Sequence, residues 1–209
     1  MSTAPATIVA TEPDHGLAPL DGACVMVVDN GTLSLGQLRG RLEALGASTE
    51  VVRAAAVPAS VPSSVDAIVL SGTKVRAYDQ DFYGPLVDLV GNADVPVLGI
   101  CGGMQLIMIG YGAVLSPGEQ RVGSHWADVD ISEPIFAYVG DRVRLFHRHT
   151  LYVRQAPAGF RVIGSSPSAP VELIRSDDSR IFGSQAHLEF GPDGRNILRG
   201  FADIVASRR

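Results

Sequence analysis

The sequence predicts an α/β fold: an open, mainly parallel sheet flanked by helices, with an added antiparallel layer in its second half. Three observations carry this. Short, nearly continuous apolar runs at residues 23–29, 67–70 and 95–100 read as strands buried on both faces, as in a parallel sheet. Stretches of helical periodicity alternate with them as far as Gly110, the pattern of strand–helix–strand units. Beyond Arg121 short strands separated by turn residues take over, which is how antiparallel pairing reads.

Taken in order, residues 1–21 carry no basic segment before their apolar patch and contain Glu12, Pro13, Asp14 and His15. They read as a flexible N-terminal extension rather than a secretory signal, and residues 22–209 as one domain. The first strand, residues 23–29, ends at the turn Asn30-Gly31-Thr32. Ser34 then starts a helix in which Leu35, Leu38, Leu42 and Leu45 recur at helical spacing, and Gly46 stops it. Residues 47–53 form the second strand, and 56–64 are a connection rich in Pro and Ser. Residues 67–70 form the third strand, ending at Ser71-Gly72-Thr73. A helix over 78–90 places Phe82, Leu86, Leu89 and Val90 on one side, and the fourth strand ends at Ile100.

Residues 121–131 alternate apolar and polar side chains, with Trp126, Val129 and Ile131 on the apolar beat. Residues 142–146 and 151–153 read as strands on either side of a loop holding His147, Arg148 and His149. Residues 160–166 and 171–175 continue the run, joined to 181–185 by a hairpin turn at Asp177-Asp178-Ser179. Gly191-Pro192-Asp193-Gly194 reads as another turn, and 196–207 as a closing amphipathic helix.

Composition narrows the function. With 209 residues, 46% of them hydrophobic and 19% charged, the chain can bury one substantial core. A net charge of -5 and no Lys/Arg cluster argue against nucleic acid or an anionic membrane as the main partner. No apolar run reaches the length of a membrane span. The two cysteines, Cys24 and Cys101, make no disulfide framework and have no zinc spacing, so a reducing cytoplasm is the expected setting.

The chemistry centres on Cys101. It stands where a buried strand gives way to an apolar helix, with Gly99 two residues before it and Gly103 two after. That is the pattern of a nucleophile elbow, a tight strand-to-helix turn that needs small residues on both sides and pushes the central side chain out at the carboxyl end of the sheet. The N-terminus of the following helix favours a thiolate. The flanking glycines are what separate this reading from that of a buried structural cysteine.

A cysteine nucleophile needs a base, usually a histidine oriented by a third group. Among the five histidines, His15 lies in the extension and His125 in an alternating strand, while His147 and His149 flank a loop. His187 has the best case: Glu189 follows at i+2, on the same face of extended backbone, and can reach the ring nitrogen turned away from the thiol. A metal reading of the pair lacks further ligands at sensible spacing. The oxyanion formed during attack needs donors. The Gly102 N–H is the first, and Ser71-Gly72-Thr73 either supplies the second or is an ordinary strand-to-loop turn.

The order of Ser71-Gly72, the elbow Leu98-Gly99-Ile100-Cys101-Gly102-Gly103-Met104-Gln105 and the late Gln185-Ala186-His187-Leu188-Glu189 resembles the class I, triad-type glutamine amidotransferase family. The likeness runs from about Ala23 to Ala206. The opening Val27-Val28-Asp29-Asn30 is similar to the glutaminase subunits of anthranilate and aminodeoxychorismate synthases and to the glutaminase domain of GMP synthetase. The resemblance implies a flavodoxin-like sheet, Cys101 as nucleophile, His187 as base and acid, and Glu189 as its orienting carboxylate. It implies an oxyanion hole from Gly102 with Gly72 and Thr73, and substrate contacts from Gln105, His149, Thr150 and Leu151. The chain departs from the family pattern in three places. Ser71-Gly72-Thr73-Lys74 replaces Ser-Gly-Gly-Pro, Leu188 replaces the proline of His-Pro-Glu, and Ala186 replaces a phenylalanine.

The expected activity is a glutaminase that releases ammonia through a γ-glutamyl thioester, with no metal or cofactor. No phosphate loop or acceptor domain is visible, so a separate synthase subunit is the expected recipient of the ammonia. Lys74, Ala186 and Leu188 keep a second reading open, a stand-alone γ-glutamyl hydrolase or peptidase on the same scaffold. A third is a catalytically idle regulatory homologue.

Overall fold

The computed structural model describes residues 18–73 and 79–209. The elements in chain order are β1 (Cys24–Asp29), α1 (Leu35–Ala44), β2 (Ser48–Arg53), β3 (Ala67–Leu70), α2 (Gln80–Gly91), β4 (Val97–Ile100) and α3 (Gly102–Gly110). They continue with β5 (Leu115–Val129), β6 (Arg142–Val153), β7 (Phe160–Ser166), β8 (Ala169–Ser176), β9 (Ile181–Ser184) and α4 (Pro192–Ala206). The helix expected over 78–90 is α2, with Tyr78, like Lys74 and His15, outside the described residues.

The described strands form one sheet in the order β2-β1-β3-β4-β9-β8-β7-β5-β6. Pairing is parallel from β2 through β9 and antiparallel from β9 through β6. The antiparallel strands expected as an added layer therefore prolong the parallel sheet. The reason lies in β9, which leaves its hairpin with β8 and pairs parallel to β4 from Val97↔Ile181 to Ile100↔Ser184. The far edge then curls back: the His187 N–H donates to Phe146 O of β6 at 2.8 Å, forming an isolated antiparallel bridge.

Strand β1 shows why the apolar runs are strands. Val25 and Val27 enter the core shared with Leu38, Leu42, Leu198 and Phe201, whereas Met26 and Val28 enter that of Leu70, Leu86, Leu89 and Met104. Alternate residues feed opposite faces, so both faces must be apolar. Each fully buried Leu, Val or Phe contributes about 1.5–3 kcal/mol to keeping the helices on the sheet. No helix of the described residues is long and apolar enough to cross a membrane.

Three local expectations need correction. The loop expected around His147 and His149 is the middle of the continuous strand β6, where Val143, Leu145, His147 and His149 are all buried. The alternation runs straight through the histidines, whose rings meet each other, His147 Nδ1 lying 3.2 Å from His149 Nε2. The turn expected at Gly191–Gly194 is the first turn of α4: Gly191 has φ 72, Pro192 occupies N1 and Asp193 lies at the positive end of the helix. Leu20, placed in the N-terminal extension, is buried and donates its N–H to Leu45 O at 2.9 Å. Residues 1–17 lie outside the described residues.

Candidate active site

Strand β4 ends at Cys101, whose backbone has φ 50 and ψ -108. Positive φ is rare for a residue with a side chain and persists only where its surroundings enforce it. Here both neighbouring glycines are required. A Cβ on Gly99 would stand 2.7 Å from Met104 N, and one on Gly103 would stand 2.5 Å from Leu70 O. The Cys101 N–H donates to Ser184 O at 2.6 Å, tying the turn to β9. The sequence reading of an elbow is met in backbone geometry.

The segment after β9 brings His187 to the same place. A Cβ on Gly72 would lie 3.1 Å from His187 Cε1 and 3.7 Å from Cys101 Cβ, so the open face of Gly72 is turned toward both side chains. Cys101 and His187 are nearly buried, at 5% and 9% exposure. His187 Nδ1 lies 2.8 Å from Glu189 Oε1; a carboxylate only accepts, so Nδ1 carries the proton and Nε2 is left for the thiol. Burial opposes a charge on this ring, but hydrogen bonding to Cys101 and Glu189 outweighs it and raises the His187 pKa to about 10. The ring is thus held as imidazolium at neutral pH, the partner a thiolate needs.

Leu188 stands where the family carries proline, and the turn is held by other means. Ala186 and Leu188 are fully buried, the His187 N–H is bound to Phe146 O, and Gly194 packs directly on the Leu188 backbone.

Gly102 opens α3, where backbone N–H groups have no acceptor within the helix. A Cβ on it would overlap the Thr73 methyl and approach Thr73 N to 2.6 Å. Thr73 therefore packs directly over the open face of Gly102. Ser71 Oγ donates to Gly72 O at 3.1 Å and accepts from the Asn30 N–H at 3.0 Å.

A cavity of about 460 Å³ opens over the thiol, within the range of small-molecule sites. Its wall includes Thr73, Cys101, Gly102, Gln105, His149, Thr150, Leu151 and His187. Every residue expected at the site is therefore in the wall, except Gly72, which abuts it, and Glu189, which stands behind His187. Gln105 Nε2 donates to Leu151 O at 2.8 Å and to Gln185 Oε1 at 3.2 Å. One side chain thus links the elbow helix, β6 and the residue after β9.

Sequence reasoning missed three parts of this region. Gln185 is fully buried with Nε2 3.9 Å from Cys101 Sγ; its position two residues before the histidine was the available signal. Ser34, read as a helix start, donates to Glu189. A buried cluster backs His149: Arg121 pairs with Glu172, Ser166 Oγ donates to Glu172 Oε1 at 2.6 Å, and His147 Nδ1 lies 3.2 Å from His149 Nε2. Burial first, then the Arg121 charge, lowers the pKa of His147 to about 2 and of His149 to about 4. Both rings are neutral at neutral pH. Among the described residues no group of three or more His, Cys, Asp or Glu is placed to hold a metal ion.

Comparison with known proteins agrees with this geometry. The family described as "Glutamine amidotransferase class-I" matches residues 26–204. The chain is 29% identical over 195 residues to a glutamine-hydrolysing GMP synthase of Campylobacter jejuni, covering 88% of this chain and 37% of that protein. It is 32% identical over 143 residues to the GMP synthase of Thermosipho africanus, covering 67% of this chain and 28% of that protein. The chain thus spans well under half of the curated relatives it matches. A solved protein of Thermoplasma acidophilum, assigned as one subunit of a GMP synthase, superposes with a TM-score of 0.80 at 27% identity, over 89% of this chain and 95% of that one. A glutamine amidotransferase of Thermotoga maritima shares the fold, with a TM-score of 0.75 at 16% identity over 88% and 98% of the two chains. The family resemblance and the α/β fold read from the sequence are both borne out: the chain belongs to the class I glutamine amidotransferase family.

Proposed function

We propose, from that membership and the geometry at residue 101, that residues 22–209 act as one glutaminase domain using a Cys101–His187–Glu189 triad. The observation that carries the reading is the strained elbow, which presents the thiol beside an imidazolium held by a buried carboxylate. In this reading the Cys101 thiolate attacks the side-chain amide carbon of glutamine. Backbone N–H groups of Gly102 and the Gly72–Thr73 segment receive the charge that develops on the amide oxygen. His187 gives its proton to the leaving nitrogen, ammonia departs, and a γ-glutamyl thioester remains. His187, now neutral, takes a proton from water, which attacks the thioester; the C–S bond breaks, glutamate is released and the thiolate is regenerated. Gln105, His149, Thr150 and Leu151 line the wall that would hold the α-amino and carboxyl end of glutamine.

The ammonia passes to a separate synthase subunit. Support comes from the larger glutamine-hydrolysing relatives, of which this chain matches a part, and from its match to nearly all of a protein assigned as one piece of a synthase. Two free thiols suit a cytoplasmic setting.

The test is release of ammonia and glutamate from glutamine, with and without a co-expressed synthase. Turnover that disappears in Cys101→Ser is expected. Turnover of γ-glutamyl peptides in preference to glutamine would overturn the substrate, and loss of neither activity in Cys101→Ser would overturn the site.

A further inference from the structure

Ser34 occupies the N-cap position of α1, where a serine side chain ordinarily accepts from a free helix N–H. It makes no such bond here. Its Oγ instead donates to Glu189 Oε1 at 2.5 Å, across 155 residues of sequence, and Ser34 is 7% exposed. The acceptor is the same oxygen that His187 Nδ1 approaches at 2.8 Å. Thr32 Oγ1 lies 3.0 Å from Ser34 Oγ and accepts from the Ser34 N–H at 3.2 Å. A hydroxyl has a single proton, and Ser34 gives its own to a carboxylate that can only accept. Thr32 must therefore donate to Ser34, which fixes every direction in the chain from Thr32 through Ser34 and Glu189 to His187.

We propose that Ser34 is a positioning residue for the triad: it holds the Glu189 carboxylate in the orientation that keeps the His187 ring facing Cys101. The proposal rests on the triad reading above. The other carboxylate oxygen, Oε2, is buried and has no hydrogen-bond partner among the described residues. Oε1 thus receives both donors, and without Ser34 the carboxylate would keep, among the described residues, the imidazole as its one hydrogen-bond donor. Charge-assisted hydrogen bonds of this kind are short and directional, as carboxylates that position catalytic histidines require. A serine doing no more than starting a helix would have capped it.

Ser34→Ala, with Ser34→Thr as the variant that restores the hydroxyl, tests this by two readouts. The first is the rate at which a glutamine-like chloroketone labels Cys101, together with kcat and KM for glutamine. The second is the proton resonance of His187 Nδ1–H, assigned by its loss in His187→Gln. Ser34→Ala is expected to slow labelling and lower kcat about ten-fold with KM within about two-fold, and to move the resonance. Ser34→Thr is expected to restore both. An unmoved resonance with unchanged labelling, in a variant as stable as the parent, would overturn the proposal. If glutamine is not turned over by the parent but the resonance still moves in Ser34→Ala, the Ser34–Glu189–His187 chain stands and the substrate reading fails.

Discussion

Gly102 and Thr73 are packed so closely that a methyl group on the first would collide with both the side chain and the backbone nitrogen of the second. These are the two segments on which the proposed oxyanion hole depends. Gly102→Ala must push them apart, and activity should fall at least about 100-fold, the usual effect of losing one such donor. Adding Thr73→Gly removes the methyl but leaves the backbone nitrogen 2.6 Å from the new Cβ, so rescue should be incomplete. Glutamine turnover of the single and double variants checks this; a fully active Gly102→Ala would remove these segments from the mechanism.

The pair Arg121–Glu172 is buried, at 6% and 0% side-chain exposure. Removing one member of such a pair leaves an uncompensated charge and typically costs about 3–5 kcal/mol. Glu172→Gln should therefore lower the urea midpoint of unfolding by a corresponding amount. Replacing both residues by Met and Leu should recover most of the loss. Equal stability of the single variant and the parent would show that the pair carries no net interaction.

Acid and alkaline stability should have different origins. His147 and His149 have folded pKa values of about 2 and 4, below the ordinary histidine value near 6.5. The unfolded chain binds more protons there, so their contribution is complete above about 6.5 and is lost as pH falls, by up to about 1.4 kcal/mol per pH unit for each ring. His187, raised to about 10, behaves oppositely: its contribution is complete below about 6.5 and is lost as pH rises toward 10. Chemical denaturation from pH 4 to 10 should show decline on both sides of neutrality. His147→Gln should flatten the acid side, and Glu189→Gln the alkaline side.

What the sequence disclosed depended on how local the cause was. Runs such as Val25–Val28 and Leu98–Ile100 are apolar because both faces of one strand are covered, and that is visible within a few residues. The elbow was legible for the same reason: Gly99, Cys101 and Gly103 meet their constraint inside one turn. His187 and Glu189 announced each other at i+2. By contrast, His147 and His149 looked like loop residues because the Arg121–Glu172 pair buried beside them comes from other strands. Ser34 looked like a helix cap because its partner, Glu189, lies at the other end of the chain. Gly191-Pro192-Asp193-Gly194 fits a turn as well as a helix start, and the packing of Gly194 on Leu188 decides between them.

The most direct measurement is mass mapping after brief exposure to a glutamine-like chloroketone, with Cys24 as the internal control since both cysteines are free thiols. A single adduct on Cys101 is expected, blocked by excess glutamine, absent in Cys101→Ser and much slower in His187→Gln. An adduct on Cys24 instead, or labelling that persists at the same rate in Cys101→Ser, would contradict it.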